Sequence, residues 1–298
     1  MPGSRMGEAG RAVFLSECFT RVSILRVREG VVMSSDKTPV QLPSLEALRG
    51  ICEAAGRDVL AVRKARCGTQ YSIDGSPATE AHHAAQRRLE AGLPQLINLP
   101  MLSEGLAATP WPGRRQWQCY WLVDPLGGAR EYVDGHDDFT VDVALVWGGD
   151  VLLGMVHAPA TGLTWAGGAG LGAWRWREDF REPLAVRIGK PLRIIVSRAH
   201  IDDKTQRLVA SFPDAQLQRS GSSVKFCRVA EGSADLYPRI GPTCEWGTAA
   251  GQGVLEGAGG TVLSLATGLP LRYNTRESLI NEPFVACCDV SLVAHLLP

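Results

Sequence analysis

The chain has 298 residues, with 31 Lys and Arg against 31 Asp and Glu, so its formal net charge is zero, and 45% of its residues are hydrophobic. That length and apolar content suffice for one large domain or two packed ones. A neutral chain gives no electrostatic basis for binding a nucleic-acid polymer or a membrane surface, and no apolar run is long enough to span a bilayer. The eight cysteines show no zinc-ligand spacing and are expected to be reduced, in a cytoplasmic protein.

Residues 1–40 mix Arg, Gly and Glu around one short apolar piece, Ala12–Phe14, and are expected to form a flexible N-terminal extension, with Met33 as an alternative translation start. Ser44, after Pro43, is placed to cap a helix running to about Lys64, with Leu45, Leu48, Ile51, Ala55 and Val59 on its apolar face. A second helix is expected over 78–93, opened by Ser76-Pro77. Strands are expected at 95–99 and 120–123, and as hairpins at 139–147 with 151–157 and at 163–166 with 172–176. Together these make residues 41–183 an α+β subdomain with an antiparallel sheet. From residue 184 strands and helices alternate: a strand at 193–196, helices at 202–211 and 222–232, a strand at 234–237, a helix at 248–257 and a strand at 261–263. Residues 184–298 therefore read as an α/β subdomain.

The chemistry centres on residues 121–145. An apolar strand delivers Asp124 into a turn built on Pro125, Gly127 and Gly128, and a second strand carries the chain away. A carboxylate at a strand end beside a glycine turn suits a metal or phosphate site, because the backbone can approach a ligand closely there. The same pattern also serves in ordinary loops.

The segment D-P-L-G-G-A at Asp124–Ala129 resembles the D-P-(I/L)-D-G-(T/S) signature of the magnesium-dependent, lithium-sensitive phosphatases of the inositol monophosphatase superfamily. The resemblance runs from about Ser44 to Phe284 and takes in D-G-S-P-A-T-E-A-H at Asp74–His82, L-S-E-G at Leu102–Gly105, V-S-R-A-H at Val196–His200 and the long segment Gly221–Gly251. Within the superfamily the chain is most similar to the 3'(2'),5'-bisphosphate nucleotidases, which remove the 3'-phosphate of 3'-phosphoadenosine 5'-phosphate (PAP). The resemblance implies a layered αβαβα sandwich. In that family clustered carboxylates gather magnesium around the phosphate and activate a water.

Carried over residue by residue, the metal ligands that survive are Glu104, Asp124 and the carbonyl of Leu126. The second signature aspartate is Gly127, the aspartate of the W-D-x-A-A-G element is Gly247, and the signature threonine is Ala129. The aspartate of the V-T-x-A-D element is His82, a lysine is Ser72, and the second glutamate of S-E-E is Gly105. Glu245 and Asp138 are the nearby acids in sequence that can be considered as relocated ligands. Ligand contacts are expected at Gly128, Ser222, Ser223, Lys225, Arg239 and Thr248, the last at a helix N-terminus with free N–H groups. His82, Glu104 and Asp124 are the candidates for any catalytic role. With so many acids missing, the expectation is a pseudo-phosphatase with no metal cofactor, magnesium entering only with residual activity. Such a protein would bind PAP or another phosphate or sulfate and serve as partner subunit of, for example, a sulfotransferase using the sulfate donor PAPS. The alternatives are a weakly active magnesium-dependent bisphosphate nucleotidase and a repurposed enzyme of a specialised biosynthetic pathway.

Overall fold

The computed structural model describes residues 26–28, 31–34, 37–66, 77–106, 109–198 and 201–298. Asp74, Ser72 and His200, singled out above, lie outside the described residues. Contacts divide the chain into two units, Met1–Leu42 and Pro43–Pro298. In the first, β1 (Arg26–Arg28), β2 (Val31–Ser34) and β3 (Lys37–Gln41) pair antiparallel in sequence order. The segment expected as a flexible extension thus carries regular strand pairing over its described part.

The second unit opens with α1 (Leu45–Arg66) and α2 (Pro77–Leu96), which pack on each other. Leu48, Cys52, Ala55 and Val59 of α1 and Ala81, Ala85, Leu89 and Leu93 of α2 are fully buried, the stripe that three- and four-residue spacing produces. α2 runs through Pro94 to Leu96, so the strand expected at 95–99 is displaced to β4 (Met101–Ser103). Next come α3 (Trp111–Arg114), β5 (Cys119–Gly127), α4 (Ala129–Val133), β6 (Thr140–Trp147), β7 (Asp150–Ala158), β8 (Leu163–Gly168), β9 (Gly172–Arg177) and β10 (Phe180–Pro183). The strands form one seven-stranded sheet, ordered β10-β9-β8-β7-β6-β5-β4 and antiparallel except for the parallel pair β4–β5. Every residue of β6 is buried, as in a strand covered on both faces.

The second sheet is built from β11 (Arg193–Ser197), β12 (Gln216–Ser220), β13 (Leu236–Arg239), β14 (Thr261–Ser264) and β15 (Phe284–Cys287). Its order is β12-β11-β13-β15-β14, parallel over the first three strands and antiparallel at β15. α5 (Asp203–Ala210) contacts β13, while α6 (Val224–Ala230) and α7 (Trp246–Gly257) touch strands of both sheets and each other. With α1 and α2 on the larger sheet, the unit is the expected sandwich of two mixed sheets with helices between and outside them. No helix among the described residues is long and apolar enough to cross a membrane.

Two features fix α7, whose first turn borders the site. Glycines on both sides bring helix and strand backbones together: a Cβ on Gly154 of β7 would stand 2.1 Å from the Ala250 carbonyl oxygen, and one on Gly253 of α7 would stand 2.6 Å from the Gly154 nitrogen. At its start, buried Glu245 accepts from the Asn274 N–H at 2.8 Å, and the Asn274 side chain donates to the carbonyl of buried Arg114 at 2.7 Å. Burial pushes the Glu245 pKa up from 4.5 to about 7, against the opposing pull of the Asn274 N–H, Arg114 and Arg276.

Replacing Gly154 by Ala is expected to cost about 3 kcal/mol of unfolding free energy, the top of the usual overpacking range, because the obstacle is backbone and cannot rotate away; urea unfolding measures it. Glu245 binds its proton more tightly folded than unfolded. Its contribution to stability is therefore full below pH 4.5 and lost as pH rises through about 7. Glu245→Gln should flatten the fall in melting temperature between pH 5 and pH 8, read by thermal denaturation at the two values.

Candidate active site

β5 ends in the turn that carries the chemistry. Asp124 is buried and turns one oxygen back on its own loop, Oδ1 accepting from the Leu126 N–H at 3.2 Å. Gly128 follows with φ of +83°, a left-handed conformation that a side chain disfavours, and starts α4. The parallel pairing of Ser103 with Val123 sets Glu104 beside Asp124, and the Glu104 N–H reaches the Val123 carbonyl at 3.4 Å. The two carboxyl groups stand within hydrogen-bonding reach of each other. Burial raises the Glu104 pKa, partly offset by that contact; burial, then Asp142 and then Glu104 raise the Asp124 pKa well above the carboxylate range.

These acids open onto a cavity of about 380 Å³. Of the residues expected at the site, Glu104, Asp124, Leu126, Gly128, Ser222, Ser223, Lys225 and Arg239 line it, as do Gly127, Ala129 and Gly247. Lys225 is buried; its Nζ donates to the Ser222 carbonyl at 2.6 Å and lies 5.1 Å from the Tyr237 ring centroid. Burial lowers its pKa to about 8. Arg239 is held by Thr243, Ser197 and the Pro242 carbonyl at 2.9–3.0 Å.

Other expected residues fall elsewhere. Thr248 does not line the cavity; it is buried, with its hydroxyl donating to the Glu245 carbonyl at 3.0 Å. α7 begins two residues earlier than the sequence suggested, and the N–H groups of Gly247 and Thr248 are taken by the Cys244 and Glu245 carbonyls. The expected free anion site at Thr248 is therefore absent. His82 projects from α2 with Nε2 3.7 Å from Glu104 Oε2, outside the cavity wall. Burial, then His83, lowers its pKa, so it brings no positive charge near neutral pH. Glu245 belongs to the Arg114–Asn274 cluster. Asp138 accepts from Arg198 at 2.9 Å and from Ser220 at 3.1 Å; burial raises its pKa, but these partners and the Gly221 N–H hold it below the ordinary value. Neither replaces a missing ligand. Burial, then Glu104 and Asp124, keep Cys244 a thiol.

The residue that the sequence reading missed is Asp142. It sits in the middle of β6, fully buried, as the register partner of Asp124. Its signal in the sequence is a lone charge inside an otherwise apolar strand. Burial raises its pKa to about 7, despite Ser223, Thr140 and Lys225.

The donor chemistry and the unpaired oxygens test whether these residues suit a divalent cation. Asp142 Oδ1 and the Thr140 hydroxyl are buried without a well-formed hydrogen bond. Carboxylate, carbonyl and hydroxyl oxygens are what magnesium takes. Among the described residues no three His, Cys, Asp or Glu side chains are grouped to hold an ion by themselves, so a cation here takes a pair of carboxylates with neutral oxygens. Glu104 and Asp124, beside Leu126, fit that requirement.

The inositol monophosphatase family model matches residues 43–288. The 3'(2'),5'-bisphosphate nucleotidase CysQ of Escherichia coli K12 is 38% identical over 240 residues, covering 78% of this chain and 96% of that protein. CysQ of Salmonella typhimurium LT2 is 37% identical over 243 residues, covering 80% and 98%. Among solved structures, CysQ from Bacteroides thetaiotaomicron superposes with a TM-score of 0.74 at 32% identity, covering 81% of this chain and 95% of that one. These matches overturn the expectation of a site with no metal cofactor, because they set the chain among magnesium-dependent phosphatases. On the span of the family match and the identity to these relatives, the chain belongs to the inositol monophosphatase family.

Proposed function

We propose that this protein is a magnesium-dependent phosphatase of 3'(2'),5'-bisphosphate nucleotides such as PAP, slower than its relatives. The observation that carries this reading is one cavity lined both by the adjacent carboxyls of Glu104 and Asp124 and by Lys225 and Arg239. Magnesium, when bound, neutralises phosphate charge and lowers the pKa of a water. Glu104 and Asp124 would hold it, with Leu126 beside them. Lys225 offers a cationic ammonium with donors beyond its bond to Ser222, in a buried setting where it acts strongly on an anion. The reduced rate follows from Ala129, which has no hydroxyl to orient a water, and from Gly247, which brings no acid to the cavity.

A second reading is favoured by Gly247 specifically. A Cβ there would meet nothing nearer than Asp124 Oδ2 at 3.6 Å, so open space stands where a further ligand would enter. On that reading the protein turns nothing over and acts as a partner subunit, for example of a PAPS-dependent sulfotransferase.

Phosphate release from PAP is expected to rise with magnesium and saturate. Asp124→Asn should lower it by more than the roughly 10- to 100-fold that changes behind a ligand shell bring. Release at no magnesium concentration would overturn the phosphatase reading and favour the partner subunit, which co-purification with a sulfotransferase would then test.

A further inference from the structure

The antiparallel register of β5 and β6 pairs Asp124 with Asp142 and Gly127 with Thr140, with an irregularity between the two pairs. Asp124 is 5% exposed, and Asp142 and Thr140 are fully buried. Like charges directly opposite each other on a sheet destabilise it, and burial sharpens the effect. Something must occupy or neutralise this spot.

Gly127 lies against this pair. A Cβ built there would lie 2.8 Å from Thr140 Oγ1, 3.1 Å from Asp142 Oδ2 and 3.3 Å from Asp124 Oδ2. Three side-chain oxygens from two strands thus crowd the place where a side chain at residue 127 would begin, and the glycine leaves them room. Two of the groups carry a buried oxygen without a partner, Thr140 Oγ1 and Asp142 Oδ1. Ser223, from the start of α6, donates to Asp142 Oδ2 and fixes that carboxylate from the other side.

We propose that Asp142, with Asp124 and the Thr140 hydroxyl, forms a cation-binding group whose oxygens have room to face one another because residue 127 is a glycine. The carboxylate that the turn lacks at residue 127 is then supplied by the facing strand. This inference rests on the metal-dependent reading of the cavity. It assigns Asp142 as a ligand and gives Gly127 the role of making room for it. A side chain at residue 127 and the Asp142 carboxylate compete for the same space, so the two positions are coupled.

The test is direct binding of Mn²⁺ to the full chain, followed by loss of the free-ion electron paramagnetic resonance signal. The variants are Asp142→Asn, Gly127→Asp and the double variant, with metal-free melting temperatures as a fold control. Asp142→Asn is expected to weaken Mn²⁺ binding at least about 10-fold while the metal-free protein stays folded, since only a charge is removed. In the Asp142→Asn background, Gly127→Asp should restore most of the affinity; in the unmodified background it should lower it, a reversal of sign that measures the coupling. Should Asp142→Asn fail to fold, recovery of folding and binding in the double variant still supports the proposal. Unchanged Mn²⁺ affinity in folded Asp142→Asn, no recovery in the double variant, or no binding by the unmodified chain overturns it. Phosphate release from PAP, measured on the same samples, separates the two ideas. Binding that depends on Asp142 without turnover sinks the phosphatase reading and keeps the ligand assignment. Turnover with Mn²⁺ affinity indifferent to Asp142 does the reverse.

Discussion

The site depends on the cross-strand pairing of two buried carboxyl groups. Asp124 and Asp142 face each other where the sheet is covered on both sides. Two ionised carboxylates about 5 Å apart repel by roughly 3 kcal/mol at an effective dielectric constant of 20, before desolvation is counted. A domain with an ordinary stability of about 5–15 kcal/mol can carry that only if something offsets it. The same pairing that positions Asp124 for chemistry thus makes the site demand a proton or a cation, and Glu104 adds to that demand by raising the Asp124 pKa further.

The two glycines at the cavity are not equivalent. At Gly127 a side chain would press on oxygens from β5 and β6, so the glycine leaves room for Asp142, an acid on the facing strand. At Gly247 the neighbourhood is open, with Thr243 Cγ2 and Asp124 Oδ2 the nearest atoms. α7 cannot slide inward to close that space, because Gly154 and Gly253 already bring helix and sheet backbones into contact. The shape of the cavity at Gly247 is therefore set by glycine packing farther along the same helix.

Strong periodicity made much of the fold legible. The three- and four-residue spacing of Leu45, Leu48, Ile51, Ala55 and Val59 marks α1, and the turn at Gly148-Gly149-Asp150 marks the β6–β7 hairpin. β12 escaped because Gln-Leu-Gln-Arg-Ser at a sheet edge is mostly exposed and has no apolar run. The end of α2 was set too early because Pro94 reads as a stop, although the helix tolerates it in its last turn. In the site, Glu104 and Asp124 were legible from motif and turn chemistry. Asp142 was not, because sequence order does not say which residue of a neighbouring strand stands opposite Asp124. The same limit misplaced Glu245 and Asp138: closeness along the chain suggested them as ligands, but Glu245 accepts from the Asn274 N–H and Asp138 from Arg198.

The balance of charge argues against an anion entering this cavity without a cation. His82 is neutral beside Glu104, so it does not turn the region positive. Arg239 keeps its positive charge, but each of its guanidinium nitrogens is already bonded to a neutral oxygen, of Ser197, Thr243 or Pro242. Lys225 lies in the same cavity, and burial has already weakened its hold on its proton. Set against Glu104, Asp124 and Asp142 once these ionise, Lys225 and Arg239 leave no surplus of positive charge for a phosphate dianion. Adding a divalent cation removes the repulsion among the acids and the repulsion between acids and phosphate together, and this double effect explains why a cluster so costly when bare can persist in a folded protein.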